Sequence, residues 1–297
     1  MTEITILDGG MGQELVSRSD VPPTPLWSTD VMRAKPHLVG EVHRDFFNAG
    51  AQIATANTYA IHRDRLVRAD AEAEFASLHK TALDQARQAR DAHGSGLVAG
   101  AIGPLGASYR PDLTPQHSAA VALYAEIATL HAPLVDLLIC ETITSLAQAE
   151  AVLDACLGHG VPVWLAFSVD DRDGTRLRSG EGLGDVIAMA GEAAALLANC
   201  SVPEVMPAAL DILGRAGTPF GAYANGFTEI SAGFLDDAPT VDALTSRTDM
   251  GPEAYADHVM GWIDQGATIV GGCCEVGPAH IAEITRRVTA LGGKGPS

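Results

Sequence analysis

Eight short aliphatic, β-rich runs are spaced along the whole chain, with helix-like stretches lying between them. Strands that alternate with helices in chain order pair in parallel, because each return to the sheet needs a long crossover. The predicted strands are Ile4–Leu7, Gln52–Ala56, Leu97–Ala101, Val135–Cys140, Val163–Ser168, Ala195–Asn199, Thr218–Tyr223 and Thr268–Val270. A helical stripe runs through Leu146, Ala149, Val152, Leu153 and Cys156. Another runs through Ile281, Ile284 and Val288, with Pro278 placed for a first turn. Eight such units in 297 residues suit a closed (β/α)8 barrel of TIM type better than an open sheet. No linker divides the chain, so one domain over residues 1–297 is expected. Val21–Pro25 reads as a loop, and residues 226–250 as a long irregular insert after the seventh strand.

Composition narrows the partners. Asp and Glu number 37 against 19 Lys and Arg, a formal charge of −18 that argues against a nucleic-acid partner. No apolar run approaches the length of a membrane span, and the N-terminus lacks the pattern of a secretory signal, so no membrane partner is expected. Five cysteines at irregular spacing do not read as a disulfide framework, and a reducing cytoplasm is the expected location.

The residues with the richest chemistry fall at the C-terminal ends of the predicted strands. Asp8 follows the first, Asn57 the second, Glu141 the fourth, Cys200 the sixth, Asn225 the seventh, and Cys273 and Cys274 the eighth. In a (β/α)8 barrel these ends converge on the face that carries the active site.

Gly271-Gly272-Cys273-Cys274 is the strongest local signal. Adjacent residues on a straight strand point to opposite faces, and two preceding glycines would relax the backbone enough to turn both sulfurs toward one ion. Cys200 is the natural third ligand of a tetrahedral site with one open position. The plainer alternative is a set of small buried residues, and a vicinal disulfide is a third reading. Asp8 and Glu141 each follow an apolar run; they either project into the barrel mouth or cap the next helix. Gly9-Gly10-Met11-Gly12 lacks the full dinucleotide pattern and reads as a turn that aims Asp8. Asp170–Gly174 reads as a surface turn rather than a calcium loop. The ten histidines show no metal spacing, and most are expected on solvated helices, His62, His93 and His159 among them; Cys140 and Cys156 are expected in the core.

Taken together, these stretches resemble the homocysteine S-methyltransferase family almost end to end. The matching segments are Leu7–Gly12, Pro25-Leu26-Trp27-Ser28, Ala56-Asn57-Thr58-Tyr59, Glu141-Thr142, Asp173–Gly180, Asn199-Cys200 and Gly271–Cys274. The double glycine and double cysteine with a distant Asn-Cys are specific to that family. The resemblance implies a barrel that binds one Zn2+ through Cys200, Cys273 and Cys274. It implies that Asp8 and Glu141 grip the homocysteine amino group, with Trp27, Thr58 and Asn225 also at the substrate site. Asn225 would offer an oxygen near the metal. This chain departs from the family pattern at Glu275-Val276, where an Arg-Thr pair is usual, at Gly226–Glu229, and in the Ser-Val-Pro-Glu that follows Cys200.

The resemblance further implies methyl transfer from a sulfonium donor, S-methylmethionine or S-adenosylmethionine, to L-homocysteine, giving methionine. A sulfonium leaves as a neutral thioether and needs no general acid, whereas methylfolate would, and betaine fits less well. The alternatives are another acceptor, such as selenocysteine, or a zinc- or thiol-sensing protein without catalysis. Retention of Asp8, Glu141 and Trp27 speaks against the latter.

Overall fold

Strands covered by helices on one side and facing a packed barrel interior on the other are apolar on both faces, and these strands are. The computed structural model of the chain describes residues 3–22, 24–235 and 244–292. Its strands are β1 (Thr5–Ile6), β2 (Ile53–Thr55), β3 (Leu97–Ile102), β4 (Leu137–Ile143), β5 (Val163–Phe167), β6 (Ala195–Asn199), β7 (Phe220–Tyr223) and β8 (Ile269–Val270). All eight coincide with predicted strands. They pair in parallel in the order β1-β8-β7-β6-β5-β4-β3-β2. A parallel bridge between Leu7 and Ile53 joins the two ends, and Gln52 N–H donates to the Ile6 carbonyl at 2.7 Å. The sheet is a (β/α)8 barrel.

The helices are α1 (Met11–Ser17), α2 (Ser28–Ala34), α3 (Pro36–Asn48), α4 (Arg63–Arg68), α5 (Phe75–His93), α6 (His117–His131), α7 (Leu146–Cys156), α8 (Val186–Met189), α9 (Met206–Leu213), α10 (Pro252–Asp264) and α11 (Pro278–Ala290). Ser145 caps α7 by accepting from Gln148 N–H at 3.2 Å, and Pro278 opens α11 as its pattern predicted. Among the described residues no helix is long and apolar enough to cross a membrane.

Period-two alternation divides the core. Leu7, Ile53, Leu137, Ile139, Leu197 and Ile269 fill the barrel, while Leu138, Cys140, Leu165, Phe167 and Leu196 pack outward against the helices. Cys140 and Cys156 are core residues as expected, fully buried with sulfurs 3.7 Å apart. Six of the ten histidines are exposed or half-buried, but the expectation for His62 needs correction. His93 is exposed, but His43, His62, His79 and His131 are buried. Aromatic neighbours explain the difference, since an imidazole face packs like other rings. His62 meets Tyr124 edge-on at 6.3 Å, and His79 meets Phe75 at 4.6 Å. Residues 236–243 of the insert after β7 lie outside the described residues. The rest folds back through a bridge between Phe227 and Ser246.

Candidate active site

Alternation along β4 aims its carboxylate. Leu137 and Ile139 face the barrel interior, and Glu141, two residues further, continues that face at the mouth. β4 does not stop at Cys140, as expected, but runs on through Glu141 with a register shift before Ile143. Thr142 sits there in left-handed backbone, φ 59°, and Asn199 on β6 clamps it. The Asn199 amide oxygen accepts from Thr142 N–H at 3.0 Å, and its nitrogen donates to the Thr142 hydroxyl at 3.1 Å. Tyr223 at the end of β7 donates its hydroxyl to Glu141 at 3.2 Å. Burial pushes the Glu141 carboxyl up to about 7, against the pull of the Tyr223 bond. Asp8 accepts from Thr55 N–H at 2.7 Å. Burial raises it to about 8, the Thr55 bonds opposing and the charge of Glu141 adding. Two buried carboxylates that resist ionisation are poised for a cationic guest.

The sulfurs gather beside them. Cys200 follows β6 in left-handed backbone, φ 49°, and its carbonyl accepts from Ser168 Oγ at 3.2 Å and Arg178 Nη2 at 3.4 Å. Arg178 is held in turn by Asp171 at 3.0 Å, so the turn at Asp170–Gly174, partly a surface turn as expected, also braces Cys200. Cys273 and Cys274 follow β8. Gly271 and Gly272 serve close approach rather than backbone freedom, for neither has positive φ. A Cβ on Gly272 would stand 2.0 Å from a Val276 methyl. The left-handed turn falls instead on Glu275, φ 66°.

The sulfurs of Cys200, Cys273 and Cys274 all lie within 4.8 Å of one another. Thiolates around one tetrahedral zinc ion stand about 3.8 Å apart, so the donor set fits such an ion. Cys200 and Cys273 are in disulfide contact, their Cα atoms 5.7 Å apart, which pairs cysteines across strand ends rather than the vicinal couple. Sulfurs gathered this closely are held either by a bond between two of them or by a cation among all three. Burial pushes the third thiol, Cys274, up to about 12, with Glu275 and Glu141 adding, so a positive charge is needed before it ionises.

Above the sulfurs and carboxylates opens a cavity of about 420 Å³, within the range of small-molecule sites. Trp27, Tyr59, Tyr109, Phe227 and Phe234 supply its aromatic wall, and Arg65 and Arg68 its cations. Trp27 lies close over Gly12, where a Cβ would stand 2.2 Å from the indole. The indole N–H donates to Gln13 at 3.0 Å, and the Gln13 amide donates to Glu275. Glu275 therefore braces Trp27 through Gln13. Among the described residues six non-glycine residues have positive φ, and four of them, Trp27, Tyr109, Thr142 and Cys200, line this cavity. Such strain concentrates at functional sites.

The structure thus brings Asp8, Glu141, Trp27, Cys200, Cys273 and Cys274 together. It turns Thr58 away from the cavity, because that hydroxyl donates to the Ala101 carbonyl at 2.6 Å. Asn225 runs alongside the double cysteine, with Cys273 N–H donating to Ala224 and Gly226 N–H to Cys274, both at 2.8 Å. Its side-chain oxygen, however, accepts from Phe227 N–H at 3.1 Å, and its nitrogen is buried without a partner. Tyr59, Tyr223 and Arg65 escaped sequence reasoning. Tyr59 lies one position beyond Thr58 in the Ala56–Tyr59 segment and Tyr223 ends the predicted seventh strand, but nothing local marks Arg65.

Thiols and carboxylates that converge under a cavity at the C-terminal face of a parallel barrel define an enzyme that handles sulfur. The chain belongs to the homocysteine S-methyltransferase family, a family of methyltransferases, whose sequence profile matches residues 5–288. It is 33% identical to the homocysteine S-methyltransferase of Escherichia coli over 96% of this chain and 95% of the relative. It is 27% identical to the selenocysteine Se-methyltransferase of Brassica oleracea var. italica, over 96% and 89% of the two chains. The crystal structure of the E. coli homocysteine methyltransferase in its metallated form superposes with a TM-score of 0.80 at 30% identity, covering 96% of each chain. The oxidised form of that protein gives 0.81.

Proposed function

We propose that this protein moves a methyl group from a sulfonium donor, S-methylmethionine or S-adenosylmethionine, to the thiol of L-homocysteine, giving methionine. The observation that carries the reading is one cavity floor that joins three cysteine sulfurs to two buried carboxylates. Cys200, Cys273 and Cys274 are the residues that would hold a Zn2+ ion. Zinc bound there supplies the positive charge that lets a thiol ionise near neutral pH.

The chain's own groups do the rest. Asp8 and Glu141 receive the substrate ammonium, whose charge draws both back to carboxylate. Tyr223 fixes the Glu141 rotamer, and the Asn199–Thr142 clamp fixes its height at the mouth. The acceptor sulfur, its proton lost to solvent, attacks the methyl carbon in line. One C–S bond forms as the donor's C–S bond breaks, and its electron pair leaves with a neutral thioether. No general acid is needed. The aromatic wall of Trp27, Tyr59 and Tyr109 stabilises the sulfonium and keeps water out.

Methionine formation from homocysteine and S-methylmethionine, with and without a chelator, tests this. Turnover that the chelator abolishes and Zn2+ restores is expected. Turnover indifferent to chelation overturns the metal assignment, and preference for selenocysteine over homocysteine overturns the acceptor.

A further inference from the structure

Many arginines of the described chain are paired with carboxylates, Arg18, Arg33 and Arg63 among them. Two that line the cavity are different. Arg65 and Arg68, three residues apart on α4, share one wall with no carboxylate partner among the described residues. Arg65 donates one Nη2 hydrogen bond to the Pro104 carbonyl at 2.9 Å, and its guanidinium stands over the Tyr59 ring, 5.6 Å from the centroid. Its Nε is buried and has no hydrogen-bond partner. A buried N–H without an acceptor calls for an explanation, and the residue that carries it is one of those lining the cavity. Asp64 fixes this wall by accepting from Gly106 N–H at 2.7 Å, which ties α4 to the loop after β3.

Charge is therefore segregated within the cavity. The unpaired acids, Asp8 and Glu141, lie with the sulfurs, whereas Asp30 on the rim is already paired with Arg33 at 2.9 Å. An acceptor whose ammonium is held by Asp8 and Glu141 and whose sulfur meets the cysteines uses the floor. The donor must bring its methyl group to that same sulfur, so its far end meets the wall.

We propose that Arg65, assisted by Arg68, binds the carboxylate of the methyl donor, so that the site selects sulfonium compounds bearing an amino-acid carboxylate. The proposal rests on the sulfonium-to-homocysteine reading above. In such a donor the sulfonium sits against the aromatic rings and the carboxylate meets the guanidinium fork, an arrangement that points the methyl at the floor. Arginine suits this role because its planar fork grips a carboxylate at two points, which lysine cannot reproduce.

The test compares S-methylmethionine with its carboxamide as donors, using zinc-loaded wild type, Arg65→Met, Arg65→Lys and Arg68→Met. Wild type is expected to favour the carboxylate donor, and Arg65→Met to reduce that preference by about 10- to 100-fold through donor KM, with homocysteine KM moved less than about threefold. Arg65→Lys is expected to recover only part, and Arg68→Met, at an exposed position, to lose less. Equal losses with both donors, or a rise in homocysteine KM alone, overturns the donor assignment while the parent reaction stands. Failure of wild type to methylate homocysteine from either donor overturns both.

Discussion

Two clusters of buried titratable groups flank the barrel wall. Inside the mouth, Asp8, Glu141 and three cysteines open on the cavity. Outside β3, His79 on α5 and His131 on α6 face each other at 2.8 Å, with His62 nearby against Tyr124. Burial raises Asp8 to about 8 and Glu141 to about 7, and it lowers His79 to about 4 and His62 and His131 well below 6.5. The histidine rings are packed among aromatic neighbours, and none of them lines the cavity. The pair also fills the outer face of β3, where a Cβ on Gly100 would stand 2.6 Å from the His131 ring. Perturbed titration thus marks burial in both places and chemistry only where a substrate can enter.

The largest effect that sharpens this contrast is expected at the sulfurs. Cys200→Ala should lower activity more than a hundredfold, beyond the range of outer-shell changes near a metal, and should lower zinc content by metal analysis. Normal turnover would falsify the cluster's role. Next come Asp8→Asn and Glu141→Gln, each expected to reduce kcat/KM for homocysteine about 10- to 100-fold while zinc content holds. Steady-state kinetics beside metal analysis separates the two kinds of loss.

The clusters should also respond to pH with opposite signs. A buried histidine with a lowered value contributes stability that is fully present above 6.5 and is lost as pH falls from there toward 4, by up to about 3 kcal/mol for His79. Asp8 and Glu141, with raised values, favour the folded state at low pH. That contribution fades as pH rises from about 4 through 7 and 8. In substrate-free protein Asp8→Asn should therefore stabilise by roughly 2 kcal/mol at pH 8 and very little at pH 4, as read by urea unfolding. Destabilisation at pH 8 would show that Asp8 is already ionised. His131→Phe, which strands the His79 nitrogen, should cost about 1–2 kcal/mol of stability and leave kcat/KM within about threefold. A large loss of activity would make the sealed cluster functional and break the comparison. The smallest effect is expected from Glu275→Ala, a few-fold rise in donor KM as Trp27 loses its brace.

Much of this was legible in the chain. Strand–helix alternation gave the barrel, and strand-end positions placed Asp8, Glu141 and the cysteines on one face, because parallel strands in a barrel all end on the same side. Thr58 lies off the cavity for a local reason: a residue beside a cavity-lining Asn57 and Tyr59 can satisfy its hydroxyl on a neighbouring strand, here Ala101. The buried histidines were missed because imidazole sits comfortably on either a wet or an aromatic-packed helix face.

The sequence by itself determined the periodicities, and with them the fold and the set of strand-end residues, since these follow from side-chain alternation along a single segment. Only the tertiary structure decided which of those side chains meet. The left-handed turns at Thr142, Cys200 and Glu275, the clamp of Asn199 on Thr142, the brace from Glu275 to Trp27 and the unpaired Arg65 join segments up to 262 residues apart. Such contacts depend on distances between elements, which no local pattern encodes.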